Sequence, residues 1–317
     1  MTFRRGIWGV MIVALALILS PLAFAGETAT DSVVEAPVVA TDSVPPPLLG
    51  PDLTGPPTWH GMVTNLPGDW MKYYRATFRE EEIGYYGGIA VVTGVLVATD
   101  DRTYQFSKRL NSTYPTVKTL SNFFANDFGD GAAQMTLAAA YAAYGLTFSN
   151  DRALRTASQT VQALLSGGLV VQVLKHITGR ESPYVSSSPT GIWRFFPNQY
   201  YYAKRVPHYD AFPSGHLCTS TSTVIVIAEN YPEITWIRPV GYTLLGLIAV
   251  SMVDIGIHWY SDYPLALAIG YTFGMIAVHP NGYDVWHFGQ DNAGSVKLSA
   301  SPMPGGGAGL TASVNLR

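Results

Sequence analysis

A single cysteine, Cys218, stands among 317 residues. That excludes an internal disulfide framework, so stability must come from packing. Set in an apolar stretch with nothing nearby to activate it, Cys218 reads as a small buried residue rather than a nucleophile. A basic footprint is missing too. The formal charge is -3, the pI is about 6.1, and the Lys and Arg residues are scattered rather than striped, which argues against nucleic acid as a partner. His176, His208 and His279 fall at no ligand spacing with a carboxylate or cysteine, so the sequence offers no metal site and implies no cofactor. There is also no internal repeat at solenoid spacing.

What the chain has is apolar surface. A hydrophobic content of 48% over this length is enough for a sizeable helical core. Arg4 and Arg5 precede an apolar run from Gly6 to Leu19, and Ala23-Phe24-Ala25 offers a small-x-small cleavage site. Residues 1–25 therefore read as a signal peptide, and the mature chain is expected in the periplasm or cell envelope. Residues 26–57, with Pro45-Pro46-Pro47 and Pro56-Pro57, read as an extended linker. A helical domain is expected over 58–280 and a tail over 281–317. In that tail, Ser295–Pro302 and Gly309–Leu316 alternate apolar and polar residues around Pro304-Gly305-Gly306-Gly307, the pattern of a β-hairpin.

Six helices are expected within the domain, over Ile83–Thr99, Ala132–Phe148, Ser158–His176, Ser214–Glu229, Trp236–Ile257 and Tyr263–Val278. They are hydrophobic nearly all round, as helices are at the centre of a large protein or in lipid. Several fall short of the ~20 apolar residues a span needs, and the mean hydropathy of +0.16 is low for six crossings. A soluble or peripheral periplasmic domain is therefore favoured over an integral one, although the last two helices are apolar enough to span.

The chemistry-bearing residues sit between these helices. In Pro213-Ser214-Gly215-His216, Ser214 is a good N-cap and Gly215 lets the backbone approach a ligand. A helix N-terminus so built either is simply capped or binds phosphate on its free N–H groups. His258 and Asp262 lie one helical turn apart, so the carboxylate could accept the Nδ1 proton and leave Nε2 free as a nucleophile. A structural His–Asp pair between two helices fits the same spacing. Lys175 ends the third expected helix, where a cation is favourable in any case. With Arg180 it could instead converge on phosphate oxygens. Asp254 interrupts an apolar helix and is most simply a structural hydrogen-bonding group. Asp127 and Asp130 most simply cap the second helix.

Taken in order, these motifs resemble the type 2 phosphatidic acid phosphatase superfamily, which includes class A acid phosphatases and vanadium haloperoxidases. The first motif runs from Lys175 to Ser182-Pro183, the second is Pro213–His216, and the third is Ser251-Met252…His258…Asp262. The resemblance covers roughly residues 83–278. It implies an all-α, six-helix bundle, here with an N-terminal linker and a C-terminal β-hairpin tail. It also implies a phosphatase acting on phosphate monoesters, lipid phosphates or lipid diphosphates. His258, oriented by Asp262, would attack phosphorus to form a phosphohistidine, and His216 would protonate the leaving oxygen and then activate water. Lys175, Arg180, Ser214 and Gly215 would cradle the phosphate, without a metal. The family's arginines are missing at Ser182 and Met252, and Arg180 is the expected substitute, with Arg194, Lys204 and Arg205 as further candidates. The resemblance equally allows a vanadate-dependent haloperoxidase, and the missing arginines a noncatalytic envelope protein.

Overall fold

A computed structural model of the protein describes residues 59–279 and, for the backbone, residues 296–303 and 307–314. The expected signal peptide and linker lie outside the described residues. Between 59 and 279 the chain forms ten α-helices: α1 Gly61–Thr64, α2 Leu66–Thr77, α3 Ile83–Thr113, α4 Pro115–Asn122, α5 Gly131–Phe148, α6 Asp151–Thr178, α7 Gln199–Lys204, α8 Gly215–Asn230, α9 Ile237–Asp254 and α10 Tyr263–Val278. A π-helical turn, Phe123–Phe128, and short 3-10 turns join them.

The expected fold class is corrected here. The domain has ten helices, not six, and no β-strand, so no C-terminal β-hairpin belongs to it. The additional helices are short pieces whose start signals lie in aromatic or proline-containing stretches. Pro115 occupies the first turn of α4, and Asn198 caps α7 by accepting from Tyr200 N and Tyr201 N at 3.0 and 3.3 Å. The first expected helix also runs on past Thr99 to Thr113. Asp100 reads as a stop in sequence, but it is buried and paired, so its charge does not break the helix. Residues 284–317 form a separate unit. Within it the backbone of β1, Val296–Met303, runs antiparallel to β2, Gly307–Val314.

Local signals set the turns that position the site. Asp130 caps α5 by accepting from Ala132 N, and Asn150 caps α6 by accepting from Ala153 N at 2.9 Å. Helix α6 ends at Gly179, whose φ of +54° is left-handed and whose missing Cβ leaves space for the Arg194 carbonyl. The chain from there to Phe212 folds back over the end of α6, with Arg194 N donating to Gly179 O at 3.1 Å and Thr178 Oγ1 donating to Phe212 O at 2.9 Å.

Helix α8 is the central element, packed against α6, α9 and α10. Leu217, Cys218, Ile225 and Val226 of α8 are buried together with Ile269, Phe273 and Ile276 of α10. At Gly270, α10 approaches the Cys218 carbonyl so closely that a Cβ would lie 2.4 Å from it. Ser222 Oγ bridges the same contact by donating to Gly270 O at 2.9 Å.

The outer helices are apolar outward. Helices α3, α6 and α9 are long and apolar enough to cross a membrane, by length and composition. On α3, Val91, Val92 and Val95 are 67%, 51% and 61% exposed. Large apolar side chains turned outward along a whole helix are unusual for a surface facing only water, which supports membrane association.

Candidate active site

Four helix ends meet at the site: the C-termini of α6 and α9 and the N-termini of α8 and α10. They bring Lys175, Ser214, Gly215, His216, His258 and Asp262 together from three separate stretches of sequence. Ser214 N donates to Asp262 O at 3.0 Å, which ties the start of α8 to the turn before α10. Ser214 Oγ accepts from Leu217 N at 3.4 Å, so its side chain caps α8. The Gly215 backbone lies against Lys175: a Cβ there would sit 3.7 Å from Nζ. Lys175 is 6% exposed, and its ammonium is 3.5 Å from Asp210 Oδ2.

His258 is 2% exposed and held on both ring nitrogens. Its Nδ1 is 2.8 Å from Ala211 O and 3.4 Å from Asp262 Oδ2. A carbonyl can only accept, so Nδ1 carries the proton and Nε2 keeps its lone pair. The expected geometry is corrected accordingly: Ala211 O takes the Nδ1 proton, and the Asp262 carboxylate stands 3.4 Å from the same nitrogen. The cause is the turn between α9 and α10. Asp262 belongs to a 3-10 turn and reaches back to accept from Trp259 N at 2.8 Å. On the other side, His258 Nε2 is 3.3 Å from His216 Nδ1, with the two rings edge to face. Burial, the neighbouring His258 and the Lys175 cation push the His216 imidazole down to about 3.

Arg180, expected beside Lys175 on phosphate, directs its guanidinium into a buried cluster of carboxylate and hydroxyl groups. It is fully buried. Nη1 donates to Ser261 Oγ at 2.6 Å and to Asp262 Oδ1 at 2.5 Å. Nη2 donates to Asp100 Oδ2 at 2.8 Å and to Thr190 O at 2.7 Å. The guanidinium also faces the rings of Trp193 and Trp259, at 4.7 and 5.4 Å. Its backbone explains the inward turn, because Arg180 bridges both Trp193 and Asp210, and its carbonyl accepts from Ala211 N at 3.0 Å. Arg180 thus supports His258 twice, through Asp262 and through Ala211.

Two of the other candidate cations, Arg194 and Lys204, are engaged elsewhere. Arg194 pairs with Glu181 at 2.8 Å, and Lys204 donates to the Tyr200 hydroxyl. Burial pushes the Glu181 carboxyl up, but Arg194 and the N–H groups of Ile192 and Ser187 outweigh it and hold the group below its usual range. At the positions where the family carries arginine, Ser182 and Met252 are buried. Among the described residues, Lys175 is the one cation within 4 Å of the position a Cβ at Gly215 would take. Asp254 is buried, its backbone carbonyl accepts from Asn111 Nδ2 at 2.9 Å, and no hydrogen bond joins it to His258 or His216 among the described residues. Cys218 is buried in α8, and burial pushes its thiol up to about 12. Among the described residues no group of three or more His, Cys, Asp or Glu side chains could hold a metal ion.

Sequence reasoning missed Asp100, Ser261 and the Ala211 carbonyl. Asp100 carried a signal, a carboxylate at the end of an apolar run; Ala211 carried none.

The geometry is that of a histidine pair beside the N-terminus of α8, and the PAP2 superfamily profile matches residues 156–286. This stretch is a PAP2 superfamily domain. It takes in most of α6 and all of α7 to α10, including every expected site residue, while α1 to α5 lie outside it. No curated protein and no solved structure matches the chain. The PAP2 domain supports a hydrolase of the phosphatase type, and together with the apolar helices it supports a phosphate- or lipid-related substrate.

Proposed function

We propose that the protein is an exported phosphatase of the cell envelope, acting on phosphate monoesters, lipid phosphates or lipid diphosphates through a phosphohistidine on His258. The observation that carries this reading is the 2.8 Å contact from His258 Nδ1 to Ala211 O, which leaves the Nε2 lone pair next to His216. The phosphoryl group sits at the α8 N-terminus, where the free N–H groups and the positive end of the dipole favour it and Lys175 adds a charge.

Nε2 attacks phosphorus while the bond to the leaving oxygen breaks, and His216, having taken up the proton that arrives with the substrate, gives it to that oxygen. In the second step His216 takes a proton from water, the water oxygen bonds phosphorus, and the P–N bond breaks to release phosphate and free His258. Two consequences follow from the geometry. The 3.3 Å between the imidazoles leaves no room for phosphorus, so the His216 ring must turn aside when substrate enters. His216 is held neutral beside Lys175, so substrate must arrive with a proton or recruit one. The outward apolar faces of α3, α6 and α9 favour a lipid-linked substrate.

The test is turnover of p-nitrophenyl phosphate and a panel of lipid phosphates by purified protein and by His258→Ala. Expected is hydrolysis by the parent and a loss on the order of a thousandfold or more in the variant. Undiminished turnover by His258→Ala would overturn the mechanism.

A further inference from the structure

Asp100 belongs to α3, outside the PAP2 match. It is fully buried, and a carboxylate so placed needs partners. Both of its oxygens have them. Oδ1 accepts from Ser261 N at 3.4 Å, and Oδ2 accepts from Arg180 Nη2 at 2.8 Å and from the Ser261 hydroxyl. The same guanidinium meets Asp262 through Nη1, so one cation is shared by two carboxylates, one from α3 and one from the turn that follows His258.

We propose that Asp100 is a positioning residue for His258, acting through Arg180 and Asp262. The proposal rests on the reading of His258 as the phosphoryl acceptor. The cluster Asp100–Arg180–Asp262 carries one more negative charge than positive, and its Asp262 carboxylate lies 3.4 Å from His258 Nδ1. A ring phosphorylated at Nε2 while keeping its Nδ1 proton is cationic, and that surplus charge stabilises it. Without Asp100, Arg180 and Asp262 would cancel. Asp100 also pins the arginine whose carbonyl holds Ala211 N, and hence the Ala211 oxygen that fixes the tautomer. Burial pushes the Asp100 carboxyl up and outweighs the Ser261 hydroxyl and Arg180, which favour its charged form, so the group stands above the usual carboxylate range. The groups facing His258 are Asp262 and Tyr263 at the start of α10 and His216 on α8, with Lys175 on α6 behind His216.

The experiment uses the full chain carrying Asp100→Asn, which keeps the shape and removes the charge. Two quantities are read: kcat and KM for p-nitrophenyl phosphate, and the titration midpoint of His258 by NMR of 15N-histidine-labelled protein. Expected are a kcat about tenfold lower, a KM within about twofold of the parent, and a His258 midpoint moved to lower pH. A merely structural role would reduce thermal stability and leave the midpoint in place, and an unmoved midpoint overturns the proposal whatever kcat does. Should the parent hydrolyse no phosphate ester, the phosphatase reading fails, and the midpoint still decides the coupling. Should Asp100→Asn fail to fold, Asp100→Glu replaces it. The charge is then kept but displaced by one methylene, so a parental midpoint with kcat lowered about threefold is expected, and a parental kcat overturns the proposal.

Discussion

His258 Nδ1 lies 2.8 Å from the carbonyl oxygen of Ala211, nearer than the 3.4 Å that separates it from the Asp262 carboxylate. The backbone therefore sets the tautomer of this imidazole, and the carboxylate supplies charge. A residue that only supplies charge should be less costly to neutralise than one that also selects the tautomer. Asp262→Asn is expected to lower kcat on the order of a hundredfold, less than the roughly ten-thousandfold seen where a carboxylate alone holds the tautomer. Steady-state kinetics give the loss, and 15N shifts should show the Nδ1–H form retained.

Arg180→Ala should act on stability first. It leaves Asp100 and Asp262 as uncompensated buried carboxylates, a change that costs about 3–5 kcal/mol. Equilibrium unfolding by denaturant measures this. A variant of parental stability with only a raised KM would instead mark Arg180 as a phosphate ligand.

These two expectations show where the sequence was legible. Lys175, Ser214 and His216 lie at helix ends and His258 in the turn between α9 and α10, where caps, dipoles and local spacing carry chemical meaning, and the fold brings them together. Helix spacing misled at Asp262, because His258 lies outside any helix and only Tyr260–Asp262 forms a 3-10 turn. Arg180 was assigned to phosphate from its closeness to the vacant position at Ser182, but pairing of its backbone with Trp193 and Asp210 turns the side chain inward. Asp100 meets Arg180 across a separation of 80 residues, which no local pattern reports. The end of the first expected helix was misplaced for a related reason: Asp100 ends an apolar run in sequence but is buried and paired, so α3 continues to Thr113.

The pH dependence of stability should carry the mark of His216. Its folded-state value is about 3, below the ordinary value of 6.5, so between these limits the unfolded chain binds more protons. The stability associated with neutral His216 is present above about 6.5 and is lost as pH falls toward 3. His216→Gln is expected to lose less thermal stability than the parent between pH 7 and pH 4, by about one proton's worth of slope. Parallel curves would contradict the depressed value.

Phosphate affinity should depend on the bare backbone at Gly215. A methyl group there would lie 3.7 Å from Lys175 Nζ and would occupy the approach to the α8 N–H groups. Gly215→Ala is expected to change stability by no more than about 1 kcal/mol while weakening inhibition by inorganic phosphate several-fold, about tenfold at most. Inhibition constants from competition kinetics check it.

The central claim is that His258 Nε2 takes the phosphoryl group, and the most direct measurement is rapid quenching of the full-length protein during turnover of a 32P-labelled phosphate ester. The account expects label on the protein that survives base, is lost in acid, maps to His258 and is absent from His258→Ala. Turnover without such label, or label of the same kind on the His258→Ala variant, would contradict it.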